Sequence, residues 1–269
     1  MSLGGRLSAT GRRTVRERLV AEVGGYLRNV VREPRVTCAV CATPIEPTFN
    51  LCLRCRRDQQ EFGVALADLV VGVCYGIRGR QSGYLMRSYK DLEAPARPNQ
   101  TLLSLLLLAA LDLHGRCIEH RLGQDVGAWA FVPSVRTDRT GEHPLHVVAK
   151  RAGLALPEIE LEAGERADPE QRVTSAGRFT LVANSHVQGR HVLLIEDTWT
   201  TGGNAQSATL TLRRGGAASV TIMALARWLK PEESPTGAFV TSRLTRDYDP
   251  LVCPVNDLDC SSYRQPDGD

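Results

Sequence analysis

The sequence predicts an α/β fold in which a parallel sheet is flanked by helices and preceded by a small cysteine-rich unit. First, short uninterrupted apolar runs alternate along the chain with segments whose apolar residues have helical spacing. Apolar runs of this kind are typical of strands buried on both faces of a parallel sheet. Second, two closely spaced cysteine pairs come before the first of these runs. Third, the run at residues 192–195 leads into two acids, a glycine loop and a helical segment, a common way for such folds to join strand to helix.

Length and composition agree with this organisation. The chain has 269 residues, of which 42% are hydrophobic, enough for one large domain and a small one. Its net charge of +3 is too small to require a polyanionic partner. The longest apolar run, residues 105–111, is shorter than the roughly 18 residues of a membrane span. We therefore predict a soluble, cytoplasmic protein with no membrane partner.

The N-terminal region, residues 1–35, is predicted to be a basic tail and helix. Residues 1–11 are mostly small and polar and are expected to be disordered, whereas residues 12–32 carry apolar residues at helical spacing despite Gly24-Gly25. Arginines outnumber acidic residues here. Because charge alone is weak evidence, a solvated helix face is favoured, and nucleic-acid contact is the second interpretation. The region lacks the apolar core of a signal peptide.

Residues 36–57 are predicted to form a zinc ribbon. Cys38 and Cys41 form one Cys-x2-Cys pair, and Cys52 and Cys55 form a second pair after ten intervening residues. Two such pairs bring four thiolates within reach of one tetrahedral structural zinc ion. Metal-free thiols, two disulfides or an iron–sulfur cluster are the alternatives, but reduced chains seldom form disulfides and tetrahedral sulfur sites usually hold zinc. The ribbon is also a candidate contact for nucleic acid or a protein partner.

Helices and strands are predicted to alternate along residues 58–230. Residues 58–70 have the pattern of a helix and residues 71–77 that of a strand. An amphipathic segment and two prolines then precede a leucine-rich helix that runs to about residue 121. The later elements are a strand at 128–132, a helix at 145–152, strands at 177–182 and 192–195, a helix at 205–214 and a strand at 219–226.

Five scattered histidine and cysteine positions raise the question of a second metal site. His114, Cys117 and His120 fall on one face of the leucine-rich helix, so metal binding there is conceivable, but such residues on a long helix usually serve packing. Cys253 and Cys260 could bind metal or each other, and a structural role is favoured for them as well.

The loop that follows residues 192–195 is predicted to bind a sugar phosphate. A tight loop entering a helix N-terminus points several backbone N–H groups at one place, and the helix dipole adds partial positive charge there, so a phosphate fits. Thr198, Thr200 and Thr201 add hydroxyl donors. Glu196 and Asp197 can accept hydrogen bonds from vicinal hydroxyls, so a ribose 5-phosphate group satisfies both ends of the loop.

These four apolar residues, two acids and a Thr/Gly-rich loop resemble the signature of the type I phosphoribosyltransferases. The resemblance implies a Rossmann-like parallel sheet with flanking helices, phosphoribosyl pyrophosphate (PRPP) as the ligand and Mg²⁺ as the cofactor. It makes Glu196 and Asp197 the catalytic pair. It assigns the 5-phosphate to Thr198, Trp199, Thr200, Thr201, Gly202, Gly203 and Asn204, the last of which is usually Thr in the family. The competing Gly-x4-Gly-Lys-Ser/Thr motif does not occur in the sequence; the alternative is an acidic strand end beside an ordinary helix cap.

The segment after the strand at 128–132 has the position of the family's pyrophosphate loop. Ser134, Arg136 and Arg139 are expected to bind the diphosphate there, the arginines through charge-assisted hydrogen bonds. Residues 158–175 are predicted to be a mobile loop, at the place where related enzymes close over the active site.

A cysteine ribbon ahead of a phosphoribosyltransferase domain resembles the ComF family of competence-associated proteins. The resemblance spans residues 38 to about 228 and implies a phosphoribosyltransferase domain at 58–230 and a C-terminal extension at 231–269. Thr200 stands where relatives that use oxopurines have Asp, which argues against purine salvage. The expected activity is transfer of phosphoribosyl from PRPP to an unknown nitrogen acceptor. The alternative is a non-catalytic PRPP sensor or a DNA-uptake interaction protein, and the resemblance also allows a homodimer.

Overall fold

A computed structural model describes residues 7–91, 96–135, 141–164, 172–183 and 185–255. The helices are α1 Ala9–Leu19, α2 Leu53–Phe62, α3 Gln81–Ser88, α4 Ala96–Leu122, α5 Pro144–Arg151, α6 Gly203–Arg214 and α7 Thr236–Arg243. The strands are β1 Leu69–Ile77, β2 Val126–Phe131, β3 Leu161–Ala163, β4 Phe179–Leu181, β5 His191–Trp199 and β6 Ser219–Leu229.

The main sheet has four strands in the order β1-β6-β5-β2, and each pair is parallel. A separate antiparallel pair joins β3 to β4. Parallel neighbours need crossover connections, and helices supply them along the chain. The predicted α/β class with a parallel sheet is confirmed.

Both faces of the sheet are buried, as the apolar run in β5 predicts. Leu193 and Ile195 contribute to one core cluster, which includes side chains of α1, α4 and α5. Val192 and Leu194 contribute to a second cluster, which includes side chains of α6 and of the cysteine ribbon. All four side chains are fully buried. Successive side chains of a strand point to opposite faces of the sheet. An uninterrupted run of apolar residues therefore places apolar side chains on both faces, whereas an alternating pattern places them on one face only.

The leucine-rich helix α4 lies in the first of these clusters. By length and composition its segment Arg97–Leu122 could cross a membrane, but 61% of the most apolar part is buried inside the protein. Leu103, Leu106 and Leu107 are among its fully buried side chains. The apolar residues of α4 are thus used for core packing.

Several predicted element boundaries are wrong. The helix predicted at residues 58–70 is α2, which ends at Phe62, and residues 69–70 already belong to β1. The N-terminal helix was expected to reach residue 32, but α1 ends at Leu19 and is followed by a short π-helical turn, Val20–Gly24. The two glycines disfavour further helix, and the next residues instead pair with β1, where Tyr75 N–H donates to Arg28 O at 2.9 Å. Strand β5 was expected to end at residue 195, but its ladder with β6 continues to Trp199.

The C-terminal residues lie against the N-terminal segment. Tyr248 N–H donates to Gly24 O at 3.0 Å. Asn29 and Asp249 exchange two hydrogen bonds, at 2.8 and 2.9 Å. The side chain of Arg32 donates to Pro254 O at 2.9 Å. The two ends of the described chain therefore share one region of the fold.

Candidate functional site

The two acids of the signature lie at the carboxyl end of β5. Glu196 is paired in register with Ala224 of β6, and the carboxyl ends of β6 and β2 lie on either side. Ligands of open α/β sheets bind in the crevice outside this edge. The sequence places the acids here because they directly follow the apolar run.

Asp197 faces α3 and its C-terminal flank. The Tyr89 hydroxyl donates to Asp197 Oδ2 at 2.6 Å, and the Lys90 ammonium group is in direct contact with the same oxygen. Burial by itself would raise the pKa of Asp197, but the positive charge of Lys90 and the hydrogen bonds from Lys90 and Tyr89 outweigh it, and the pKa is lowered. Asp197 is therefore ionised at neutral pH.

Glu196 has the opposite electrostatic behaviour. Burial raises its pKa well above the usual range, and the negative charge of Asp197 raises it further. The Asp197 N–H donates to Glu196 Oε1 at 3.2 Å. Burial and the repulsion between the two carboxyl groups thus disfavour a second negative charge beside that of Asp197.

The loop between β5 and α6 is shaped by two glycines. Gly202 has φ +82° and is the N-terminal cap residue of α6, a backbone conformation that glycine adopts without strain. A Cβ on Gly203 would collide with the carbonyl oxygen of Arg172. The Thr201 hydroxyl donates to that same oxygen at 2.7 Å. Close packing against the Arg172 backbone therefore sets the direction in which the first N–H groups of α6 point.

Arg227 of β6 supports this loop from within the protein. Its buried guanidinium donates to Trp199 O at 2.7 Å and to Thr200 O at 3.0 Å. A third bond reaches Trp228 O at 2.7 Å. The Trp199 ring is itself buried and leaves no room for a side chain on Gly202. The path of the loop is thus fixed by one charged side chain and one aromatic ring.

We expect the Arg227→Met substitution to lower the free energy of unfolding by about 2–3 kcal/mol, because hydrogen bonds from a charged donor to buried carbonyls are lost. Urea denaturation followed by circular dichroism measures the change. Arg18→Met is the matched control, since Arg18 forms only an exposed pair with Glu22, worth at most about 0.5 kcal/mol. Equal effects of the two substitutions would contradict the role given to Arg227.

A cavity of about 550 Å³ opens in front of the acids and the loop. Besides the signature residues, its wall is rich in cationic side chains, which are Arg78, Arg87, Lys90, Arg172 and Lys230. The Arg87 guanidinium also stacks on the Trp228 ring, 4.8 Å from the ring centre. Arg78 is also paired with Glu232 at 2.6 Å and Lys230 with Glu233 at 2.7 Å. A small polyanionic ligand suits a cavity of this size, where it can replace such carboxylate partners of the cationic groups.

Most of the residues predicted for the site line this cavity. They are Ser134, Glu196, Asp197, Thr198, Thr200, Thr201, Gly202, Gly203 and Asn204. Trp199 does not line it, because its ring points into the core. Arg136 and Arg139 lie outside the described residues. Asn204 Oδ1 is buried without a hydrogen-bond partner in the described part of the chain.

Sequence reasoning missed the cationic wall. Tyr89 and Lys90 come from the end of a short helix that carries no recognisable motif, and Arg87 precedes them on the same helix. Lys230 follows directly after β6. The last of these could have been suspected, because residues just beyond the carboxyl end of a parallel strand face the ligand crevice; the others depend on how α3 packs.

The four cysteines of the predicted ribbon come together. One sulfur atom from each of Cys38, Cys41, Cys52 and Cys55 lies within 4.8 Å of the others. The Cys41 and Cys52 sulfur atoms are 3.8 Å apart, which is close to the edge of a tetrahedron with zinc–sulfur bonds of about 2.3 Å. The cluster can therefore hold a tetrahedral metal ion.

The electrostatics of this cluster also favour a cation. Hydrogen bonds from the three other thiols lower the pKa of Cys38 strongly, whereas the same contacts raise the pKa of Cys55. Deprotonating one thiol thus makes the next harder to deprotonate. A divalent cation makes deprotonation of the remaining thiols easier, because it compensates the negative charge of the thiolates.

No family model matches the sequence, and no curated protein matches it. Solved structures to which the chain is similar are phosphoribosyltransferases. A hypoxanthine phosphoribosyltransferase from Staphylococcus aureus is 14% identical, with 55% of this chain and 74% of that chain covered and a TM-score of 0.27. Adenine phosphoribosyltransferases from Leishmania tarentolae and Saccharomyces cerevisiae are each 15% identical, with TM-scores of 0.28 and 0.31. They cover 48% and 65% of this chain and 71% and 98% of their own.

Proposed function

We propose that the protein binds PRPP together with Mg²⁺ and transfers phosphoribosyl to a nitrogen acceptor. One observation carries the proposal: a strand-end pair of acids, a glycine loop at a helix N-terminus and a cationic wall face one cavity. The acids suit the ribose hydroxyls, the loop suits a phosphate, and the cationic wall suits a diphosphate. Few ligands carry ribose hydroxyls, a phosphate and a diphosphate in one molecule.

In this proposal the 5-phosphate binds at residues 198–204, where N–H groups at the start of α6 and the hydroxyls of Thr200 and Thr201 donate hydrogen bonds. Glu196 and Asp197 orient the ribose. Ser134, together with Arg136 and Arg139, binds the diphosphate, and Lys90 and Arg172 add positive charge as the carbon–oxygen bond to pyrophosphate breaks. The transition state gains positive charge on the ribose, so catalysis comes from positioning and electrostatics.

The donor sets at the two sites fit the two metals we propose. Glu196, Asp197 and Thr198 line the cavity with carboxylate and hydroxyl groups, and oxygen ligands are what Mg²⁺ takes. Bound there, Mg²⁺ would neutralise charge on the diphosphate. The four thiols of residues 36–57 suit a structural Zn²⁺.

Membership of the ComF family and a cytoplasmic location are part of the proposal, and a homodimer is compatible with it. Nucleic-acid contact through the N-terminal helix receives less support. Arg13 is paired with Glu17 at 2.8 Å and Arg18 with Glu22 at 2.6 Å, so two of its arginines are already compensated. A PRPP sensor without turnover would use the same site and differ only in lacking an acceptor.

The test is calorimetric titration of the zinc-loaded protein with PRPP, with and without Mg²⁺, beside Asp197→Ala. Mg²⁺-dependent binding that weakens at least tenfold in the variant is the expected result. Asp125→Ala is the matched control, because Asp125 is an exposed carboxylate just before β2, at the opposite edge of the sheet. Absence of PRPP binding by the wild type would overturn the proposed function.

The raised pKa of Glu196 predicts that PRPP binding with Mg²⁺ releases a proton. Cation binding requires the ionised carboxylate, so affinity should rise as pH increases through the folded-state pKa of Glu196 and level off above it. Titrations in buffers of different ionisation enthalpy measure the proton release. The affinity of Glu196→Gln should keep only the pH dependence that comes from ionisation of PRPP itself. An affinity profile in the variant that equals the wild-type profile would contradict the role of Glu196 in binding the cation.

A further inference from the structure

A second cluster of metal-binding side chains lies far from the ribbon in sequence. His114 and Cys117 of α4 and Cys253 of the C-terminal segment each offer one ligand atom, and the three atoms lie within 4.8 Å of one another. His114 and Cys117 are each only 1% exposed, and Cys253 is partly buried. Histidine nitrogen and cysteine sulfur are the ligand atoms that Zn²⁺ takes in proteins, and a tetrahedral site adds a fourth ligand to these three.

The two helix residues are placed for joint binding by the geometry of α4. Positions three residues apart lie on the same face of a helix. His120, which shares this spacing in the sequence, is exposed, whereas Cys253 is brought to the cluster by the chain after α7. The sequence pattern thus brings together two of the three groups, with His120 rather than Cys253 as the third.

The hydrogen bond of His114 favours metal binding at its other nitrogen. His114 Nε2 lies 2.9 Å from Pro250 O. A carbonyl oxygen only accepts hydrogen bonds, so Nε2 must carry the proton, and in the neutral ring the lone pair then lies on Nδ1. Metal-binding histidines commonly donate their second N–H to a backbone carbonyl, which fixes the ring. Here the carbonyl belongs to the same short segment that supplies Cys253.

We propose that His114, Cys117 and Cys253 bind a second structural Zn²⁺, which fastens the C-terminal segment to α4. The segment is already hydrogen-bonded to the N-terminal region, through Tyr248 to Gly24 and through Pro254 to Arg32. The metal would therefore join three parts of the chain that are distant in sequence. A structural site is closed by four protein ligands, so a further side chain of this protein completes the three that the described residues supply.

The test is the zinc content of the full-length protein, purified under reducing conditions and measured by plasma mass spectrometry. Two equivalents per chain are expected for the wild type, and one equivalent for Cys117→Ser and for Cys253→Ser. Cys74→Ala is the matched control, because Cys74 is a buried thiol in β1 outside both clusters, and it should retain two equivalents. One equivalent in the wild type, or two in both serine variants, would overturn the proposal.

A second measurement uses only the wild type, in case a variant does not fold. Alkylation followed by peptide mapping should label Cys253 at least tenfold more slowly in the zinc-loaded protein than after chelator treatment, whereas labelling of Cys74 should not change. Equal labelling of Cys253 in both states, or a disulfide between Cys117 and Cys253 in the non-reduced protein, would also overturn the proposal. Neither measurement involves PRPP, so the result is independent of the proposed function.

Discussion

If the four cysteines bind Zn²⁺ as proposed, Cys55→Ser is expected to remove that metal and to lower the free energy of unfolding by about 4 kcal/mol or more. Structural zinc contributes on the order of 10 kcal/mol to the folding of small ribbons, and loss of one ligand removes much of this free energy. The effect extends beyond the ribbon because Cys38, Cys41 and Cys55 belong to the same buried cluster as the apolar residues of β5. Denaturant titration together with zinc analysis measures both consequences.

The control for this substitution is Cys74→Ala, which removes a buried sulfur atom without touching a metal ligand. It should cost about 1–2 kcal/mol as a small core deletion and leave the zinc content unchanged. If Cys55→Ser unfolds no more easily than Cys74→Ala while losing zinc, the ribbon metal is not a major source of stability. If it loses no zinc, the four cysteines do not form the metal site.

Gly203→Ala is expected to weaken PRPP binding by about a hundredfold, under the proposed function. The added methyl group would collide with the Arg172 carbonyl oxygen, so either the start of α6 or residues 172–173 must move. Moving the helix start redirects the N–H groups proposed to hold the 5-phosphate, and overpacking of this kind also costs about 1–3 kcal/mol of stability. Calorimetry gives the affinity, and urea denaturation the stability.

Gly25→Ala is the matched control, since Gly25 has an ordinary right-handed backbone and open space where its Cβ would stand. Its affinity for PRPP should equal that of the wild type, and its stability should rise slightly, because alanine restricts the unfolded chain. Wild-type affinity in Gly203→Ala would show that the phosphate does not bind at the start of α6.

The sequence was sufficient to predict a site wherever the residues that form it are close together in the chain. The acids, threonines and glycines of residues 196–204 are consecutive, so a strand followed by a helix inevitably places them around one sheet edge. The ribbon cysteines are similarly close in sequence. In both cases local spacing determines the three-dimensional arrangement.

Groups that meet only through tertiary packing could not be predicted. Lys90 and Asp197 are far apart in sequence, and their contact depends on where α3 ends relative to β5. Cys253 joins His114 only because the C-terminal segment returns to α4. The direction of the Trp199 side chain could not be predicted either. Trp199 was expected to lie in the loop, but the ladder of β5 with β6 continues four residues beyond the expected end of the strand and includes it. Its position in the strand decides which way the ring points.

Under the proposed function, the contact between Lys90 and Asp197 gives the carboxylate a counter-ion that belongs to the protein itself. Free Mg²⁺ gains little there, because it must displace an ammonium group that already neutralises the carboxylate and that would be left without an anion. A ligand that brings its own divalent cation together with phosphate groups can exchange both partners in one event, with the cation passing to the acids and Lys90 to the phosphate. Such an exchange selects for the metal complex of the ligand over either component alone.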